Sequence, residues 1–136
     1  MKRILLILMT LLSVAGADAC KPKKFQIDFC GQEYAYAEPL VQGGKAQKSN
    51  SKTDPELARQ GMMPARTERK AGEEVVLYFL MVATDTDYRF ILDGEQIQPG
   101  YEHSKGYIIR FTMPEHDVKL QCLRRNSMRE IPEPWR

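Results

Sequence analysis

Residues 71–123, AGEEVVLYFLMVATDTDYRFILDGEQIQPGYEHSKGYIIRFTMPEHDVKLQCL, decide the fold. Four apolar runs in this stretch are rich in Val, Ile, Leu, Tyr and Phe, which are residue types that favour strands. The runs are 75–82, 88–92, 107–113 and 118–123. Between them lie turn-forming segments, namely 84–87, 93–94, 99–100 and 114–117. Short apolar runs that alternate with tight turns predict an all-β protein built as an antiparallel sandwich.

Two short strands are predicted upstream of this stretch. The first, residues 25–29, alternates apolar and polar side chains strictly, a pattern typical of a half-buried strand. The second, residues 33–37, would place Tyr34 and Tyr36 on the same face of a strand. A cysteine–glycine turn separates the two segments, so we expect them to form the first hairpin of the sandwich.

A polar segment interrupts the predicted strands. Residues 43–60 are rich in Gly, Ser and Lys at their start, and this composition predicts a mobile loop. The end of the segment, residues 54–61, has the features of one short helix. Asp54 is a suitable N-cap and Pro55 suits the first helical position. A helix this short is marginal by itself, so we expect Leu57 to pack on the sandwich.

These patterns predict one folded domain. The β-sandwich should occupy residues 25–123, a size typical of a single sandwich domain. Residues 124–136 are basic at first, then Pro-rich, and end near Trp135. We expect this segment to be a flexible tail.

Residues 1–19 have the three parts of a secretory signal peptide. Two basic residues follow the first Met, and residues 4–16 form an apolar run. Ala17 and Ala19 then supply small residues at positions −3 and −1 of a cut before Cys20. The order of these parts predicts an exported protein rather than a buried N-terminal helix.

The residue after the predicted cut decides how the protein is held. A cut directly before a cysteine resembles the processing of bacterial lipoproteins, which implies a lipid on Cys20. Ala19 fits that motif, whereas Ala17 and Asp18 depart from its usual Leu and small residue. Two interpretations stay open: residues 20–24 are the tether of a lipid anchor at the outer face of the membrane, or the protein is secreted.

Cysteine number bears on the same question. The chain has 3 cysteines, so one is left over in an exported protein. If Cys20 carries lipid, Cys30 and Cys122 form an even pair and are predicted to be disulfide-bonded. A bridge that closes a loop of about 90 residues contributes about 4 kcal/mol in the chain-entropy model. Two reduced, buried thiols are the alternative.

Charge excludes one class of partner. The formal net charge is only +2 at pH 7. A nucleic-acid-binding domain of this size usually carries a strong basic excess, so we expect no nucleic-acid partner.

Several segments in order resemble a known kind of module. AGEEV at 71–75, DYRF at 87–90 and FTMPEHDV at 111–118 are similar to the small β-sandwich repeats of Gram-positive bacterial surface proteins. The resemblance covers about 50 residues. It implies an extracellular, immunoglobulin-like sandwich that acts as a spacer or binding unit and has no catalytic residues.

Residues suited to catalysis or metal binding are few. His103 and His116 lie in predicted turns without a positioned partner, so we expect exposed loop histidines. No phosphate-binding loop or nucleophile elbow occurs. A Ca²⁺ site would need oxygen ligands from four acidic residues near the turns: Asp85, Asp87, Asp93 and Glu95. Turn formation explains these residues more simply, and we expect neither a metal nor a cofactor.

One tyrosine is the best candidate for a binding residue. Tyrosine is favoured at recognition surfaces because it offers a large contact area with few rotatable bonds. Tyr101 is predicted to lie in a Pro-Gly turn and is the tyrosine most suited to exposure. The sequence therefore favours a cell-envelope binding or structural module without catalysis, whose partner is a protein or a glycan. A secreted inhibitor or immunity-type protein is the alternative, and a small hydrolase is a third hypothesis.

Overall fold

The computed structural model describes residues 23–46 and 54–136. They form two five-stranded sheets, a two-stranded hairpin and one short helix. The predicted all-β sandwich is confirmed. Its strands are β1 (Lys24–Asp28), β2 (Tyr36–Pro39), β3 (Val41–Gln42), β4 (Lys45–Ala46), β5 (Met62–Pro64), β6 (Glu68–Lys70), β7 (Glu74–Phe79), β8 (Thr86–Leu92), β9 (Glu95–Ile97), β10 (Gly100–Glu102), β11 (Gly106–Thr112) and β12 (Val118–Asn126).

The first sheet has the strand order β6-β1-β12-β8-β9, and the second has the order β10-β11-β7-β2-β5. Strands β3 and β4 form the separate hairpin. All neighbouring strands are antiparallel except β1 and β12, which run parallel with Ile27 opposite Val118. The antiparallel expectation fails at this pair because β1 meets the last strand of the domain, and no tight turn constrains their relative direction.

The core lies between the two sheets. Both sheets contribute side chains with 0% exposure, including Phe90 from the first sheet and Leu77 from the second, and Phe29 directly after β1 is also fully buried. Every residue of β7 after its first is buried, as expected of an inner strand covered on both faces. The alternation predicted for residues 25–29 is also seen, since Ile27 is 2% exposed while its neighbours in β1 are not buried.

Five aromatic rings contact one another in series through this core. Phe29 stacks on Tyr36 at 4.7 Å, and Tyr36 meets Phe79 edge to face at 5.4 Å. Phe79 then contacts Phe90 at 5.2 Å, and Phe90 contacts Tyr107 at 5.6 Å. Such geometries add to the free energy of burial. Because Phe90 of the first sheet contacts Phe79 and Tyr107 of the second, the series links the two sheets.

The predicted short helix is present as α1 (Pro55–Arg59). The Asp54 carboxylate caps it by accepting the backbone N–H groups of Glu56 and Leu57 at 2.9 and 3.2 Å. Leu57 packs against a second apolar cluster around Val76 on the outer face of the second sheet. That packing stabilises a helix that is too short to persist alone. The middle of the predicted mobile loop, residues 47–53, lies outside the described residues.

The prediction that residues 25–29 and 33–37 form a hairpin is wrong. A 3₁₀ turn at Glu33–Ala35 follows β1, and the chain then enters β2 in the other sheet. This turn also separates the two tyrosines that a strand would have placed on one face. Tyr34 is 71% exposed, whereas Tyr36 is 2% exposed.

Four charged residues form what we call the buried ion cluster: Glu38, Arg66, Arg69 and Glu73. The Glu38 carboxylate, with 0% exposure, accepts the backbone N–H and Nε–H of Arg66 at 2.8 and 2.9 Å. It also accepts a hydrogen bond from Nη2 of Arg69, which is 1% exposed. Burial lowers the pKa of Arg69, and Glu38 opposes that shift. Because Glu38 is on β2 and Arg69 on β6, the cluster links the two sheets.

Candidate functional site

The turns and chain ends at one end of the sandwich form a continuous surface. β7 ends at Phe79, which pairs with Tyr36 and Tyr107 at the starts of β2 and β11. The connection 80–85 then leads to the start of β8, which pairs with the last residue of β12. We call this surface the loop end, made of segments 29–35, 80–86, 100–107 and 124–136.

An open cleft of about 530 Å³ lies at the loop end, and we call it the arginine cleft. Its charged lining residues are Arg124, Arg125 and Arg136. Among the described residues, none that lines the cleft is acidic. The remaining lining residues are Gln32, Thr86, Cys122 and Asn126.

The C-terminal segment builds one wall of the cleft. Along β12, the backbone N–H and C=O groups of successive residues point alternately to the two edges of the strand. On one of these edges β12 pairs with β1, but only at Val118 and Lys119. Further along that edge, the backbones of Arg124 and Arg136 exchange two hydrogen bonds of 2.8 and 2.9 Å. The tail predicted at residues 124–136 begins later in the structure, since β12 continues to Asn126, and Arg136 returns to pair with Arg124.

The single tryptophan of the chain holds this segment against the sheet. The Trp135 ring contacts two guanidinium groups, with Arg89 at 4.3 Å and Arg125 at 4.4 Å from its centroid. Asp87 accepts a hydrogen bond from Nε of Arg125 at 3.3 Å. The two cation–π contacts position the ring and the guanidinium group of Arg125 together.

Glu133 organises the same segment from the other side. Its carboxylate pairs with Arg129 at 2.9 Å and with Arg136 at 3.1 Å, and accepts the backbone N–H of Asn126 at 3.4 Å. Desolvation opposes ionisation of Glu133, but the Asn126 N–H and the two arginines outweigh it, so its pKa is lowered. The charged form of Glu133 is therefore the one that the tail stabilises.

Cys122 lines the cleft but is not an activated nucleophile. Burial raises the pKa of its thiol to about 11. Burial and the neighbouring Asp28 likewise raise the pKa of Cys30. Burial also raises the pKa of Tyr36, and nearby Cys122 and Cys30 raise it further. Nucleophilic catalysis by cysteine requires a thiolate, which these environments disfavour at neutral pH.

The predicted disulfide between Cys30 and Cys122 is not formed in the structure, where both are free thiols. Cys30 sits in the turn after β1 with a φ of 56° and an exposed side chain. Its sulfur is 4.0 Å from the carbonyl oxygen of Asp28. The Cys122 sulfur is buried and 3.9 Å from the carbonyl oxygen of Leu123. Of the two thiols in the alternative prediction, only Cys122 is buried.

Tyr101 lies on β10, an edge strand of the second sheet, rather than in a turn. Its side chain is 58% exposed, and its ring contacts Tyr107 at 5.4 Å. Through Tyr107 it extends the aromatic series of the core to the surface at the loop end. A supported, exposed ring of this kind is suited to contact a partner.

The two histidines have different surroundings. His103 is exposed in the β10–β11 turn. His116 lies at the opposite end of the sandwich, where its Nε2 is 2.9 Å from Oδ2 of Asp93. The backbone N–H of Lys119, and then His116, lower the pKa of Asp93. The sequence prediction missed this pair because its two residues lie in different turns, which only β8 and β12 bring together.

The four acidic residues considered for Ca²⁺ do not converge. Asp87 pairs with Arg125 at the loop end, whereas Asp93 caps the opposite end of the sandwich. Within residues 23–46 and 54–136, no group of three His, Cys, Asp or Glu side chains is arranged to hold a metal ion. Asp85 and Asp93 lie in turns, as the turn-forming explanation requires, whereas Asp87 lies in β8 and Glu95 in β9.

The predicted signal peptide at 1–19 and the candidate lipidation site Cys20 lie outside the described residues. In the part of the chain that is described, no helix is long and apolar enough to cross a membrane. No protein-family model matches the chain, and searches of curated proteins and of solved structures found no match. The resemblance to surface-protein repeats therefore stays a prediction.

Sequence reasoning also missed the arginine cleft. Its signal is present as a basic pair, Arg124-Arg125, followed after a Pro-rich segment by Trp135-Arg136. Tryptophan next to arginine in a segment expected to be flexible is a sign that the segment packs on a folded surface.

Proposed function

We propose that the protein is an exported, non-catalytic binding module of the cell envelope, attached to the outer face of the membrane by lipid on Cys20. Its loop end binds a protein or glycan partner. The observation that carries this proposal is the concentration of exposed apolar and aromatic side chains beside the arginine cleft. Binding residues commonly lie on loops that a rigid scaffold positions.

Two exposed side chains of this surface lie on adjacent segments of the chain. Leu80 donates its backbone N–H to the carbonyl oxygen of Ala35 at 3.0 Å, which brings the connection 80–85 next to the 3₁₀ turn. Tyr34 is 71% exposed and Met81 is 55% exposed on these two segments. Tyr, Met and Arg are enriched in protein interfaces, so this combination supports a recognition surface.

Fractionation tests the cellular part of the proposal. The wild-type protein should be recovered with membranes after processing, and its N-terminal peptide should carry the lipid mass on Cys20. Cys20→Ser should release the protein to the medium or leave its precursor uncut. Recovery of an unprocessed wild-type chain from the cytosol would contradict export.

A capture experiment tests the binding part. The immobilised domain should retain a component of the envelope fraction, and the double variant Tyr34→Ser, Met81→Ser should retain several-fold less. Val41→Ser is the matched control because Val41 is 59% exposed on β3, away from the loop end. Equal losses for both proteins would refute the proposed surface. Capture of one enzyme in a fixed ratio would favour the inhibitor hypothesis instead.

A further inference from the structure

The positive charge of Arg124 is not paired with any acidic residue in the described part of the chain. The other two arginines of the cleft have acidic partners, Arg125 with Asp87 at 3.3 Å and Arg136 with Glu133 at 3.1 Å. The Arg124 side chain makes no hydrogen bond or ion pair with any residue in the described ranges. Its backbone is nevertheless fixed by the two hydrogen bonds to Arg136. The structure thus fixes the backbone of Arg124 and leaves its guanidinium group available to a ligand.

The amide side chains of the cleft add hydrogen-bond donors. The side-chain oxygen of Asn126 already accepts the backbone N–H of Met128 at 2.8 Å. The amide NH₂ of Asn126 is the group that remains to donate, and Gln32 supplies a second amide across the cleft. A site rich in cations and N–H donors favours a ligand that accepts hydrogen bonds and carries negative charge.

The cleft is also held in shape before any ligand binds. Trp135 makes cation–π contacts with Arg89 and Arg125, and Glu133 pairs with Arg136. Groups that are fixed in advance lose less conformational entropy when a ligand binds. Because two of the three cleft arginines are held in this way, only Arg124 must adjust to a ligand.

We infer that the arginine cleft binds an oxyanion, a phosphate or carboxylate group carried by the partner, with Arg124 as its main contact. A guanidinium group presents parallel N–H donors that match two oxygens of either anion. This inference rests on the proposed function, because that proposal brings a partner to the loop end.

Trp135 supplies the readout. It is the only tryptophan and lies against Arg125, a lining residue of the cleft, so its fluorescence should report binding. The purified exported protein is titrated with inorganic phosphate and, separately, with acetate, at constant ionic strength maintained with chloride. We expect a saturable change in fluorescence with at least one of the two anions.

Three variants locate the contact. Arg124→Gln should weaken binding at least about tenfold, because it removes a charge-assisted hydrogen bond. Arg124→Lys keeps the charge but loses the two-point contact, so its affinity should lie between those of Arg124→Gln and wild type. Arg110→Gln is the matched control, since Arg110 is exposed on β11 and lies outside the cleft. Circular dichroism checks that each variant is folded.

Each result has a defined meaning. A larger response to phosphate assigns a phosphate ligand, and a larger response to acetate assigns a carboxylate ligand. No saturable change with either anion, or equal weakening by Arg124→Gln and Arg110→Gln, would overturn the inference. If anions bind but the immobilised wild-type domain retains no component of the envelope fraction, the proposed function fails while the oxyanion site stands.

Discussion

The buried ion cluster and the arginine cleft use the same kind of side chain in opposite ways. In the cluster, Glu38 has 0% exposure and both of its oxygens accept hydrogen bonds from arginine. In the cleft, Arg124 is exposed and has no acidic partner in the described part of the chain. A buried charge must be paired because desolvation is costly, whereas an exposed charge is hydrated and stays available to a ligand.

Position in the sandwich explains the difference. The cluster lies where the chain crosses from β5 in the second sheet to β6 in the first, so two sheets cover it. The cleft lies at the loop end, where β1 has already left the edge of β12 and the returning tail covers only part of it. Coverage by neighbouring strands therefore decides which arginines are structural and which are available for recognition.

The largest expected effect comes from breaking the cluster. Glu38→Gln removes the buried negative charge that bonds the 1%-exposed Arg69, and leaves only the partly exposed Glu73, 3.9 Å from Nη1 of Arg69, to compensate that cation. We expect it to lower the free energy of unfolding by about 3–5 kcal/mol, measured by urea denaturation. The double substitution Glu38→Leu, Arg69→Met should restore much of that loss, because no isolated charge remains buried.

An exposed ion pair provides the control for this prediction. Lys24 and Glu68 are 3.2 Å apart on β1 and β6, and both side chains are at least half exposed. Glu68→Gln should change the free energy of unfolding by less than about 1 kcal/mol. A loss as small for Glu38→Gln as for Glu68→Gln would show that burial is not what separates the two regions.

A smaller effect is expected where Trp135 contacts Arg89 and Arg125, which we call the clamp. Trp135→Ala removes the ring that contacts both arginines, and should lower the free energy of unfolding by about 1–2 kcal/mol through two lost cation–π contacts. Because Arg125 is then less fixed, phosphate affinity measured by calorimetry should fall several-fold. Tyr34→Ala, at an exposed ring outside the clamp, should leave anion affinity unchanged. Unchanged phosphate affinity in Trp135→Ala would show that the tail does not position the arginines of the cleft.

The smallest effect concerns Asp93 at the opposite end of the sandwich. Its pKa is lowered in the folded state, so its contribution is present above its unfolded pKa of about 4 and is lost as pH falls through the folded value. The side chain is 36% exposed, which limits the effect at neutral pH to less than about 1 kcal/mol.

The test compares wild type with Asp93→Asn, a substitution that tolerates the local φ of 50°. Urea unfolding at neutral pH and below about pH 4 should show the difference between the two proteins shrinking on acidification. A difference that stays constant or grows on acidification would assign the stabilisation to something other than the charge of Asp93.

Local patterns in the sequence predicted much of the fold. Alternation at residues 25–29 gives the inward face of β1, and Asp93-Gly94 forms the tight turn between β8 and β9. The helix cap at Asp54 was likewise predictable, because capping depends on residues only a few positions apart. Each of these features is decided by neighbours along the chain.

Predictions failed where distant segments meet. The 3₁₀ turn that separates Tyr34 from Tyr36 lies where the chain crosses from the first sheet to the second. The tail packs because β12 offers a free edge to Arg136, and this edge is open because β1 pairs with β12 only at Val118 and Lys119. The candidate site follows the same rule, since no local pattern brings Gln32, Arg124 and Arg136 together.

The sequence by itself determined that the chain is an all-β sandwich, since the period-two alternation and the turn residues act over a few positions. Only the tertiary structure decided which charges are buried and which are open. Glu38 and Arg69 become one buried pair, and Arg124 becomes an exposed donor, because strand order sets the solvent access of each group. The sequence specifies which residues are charged, but the whole fold decides how far each charge is desolvated.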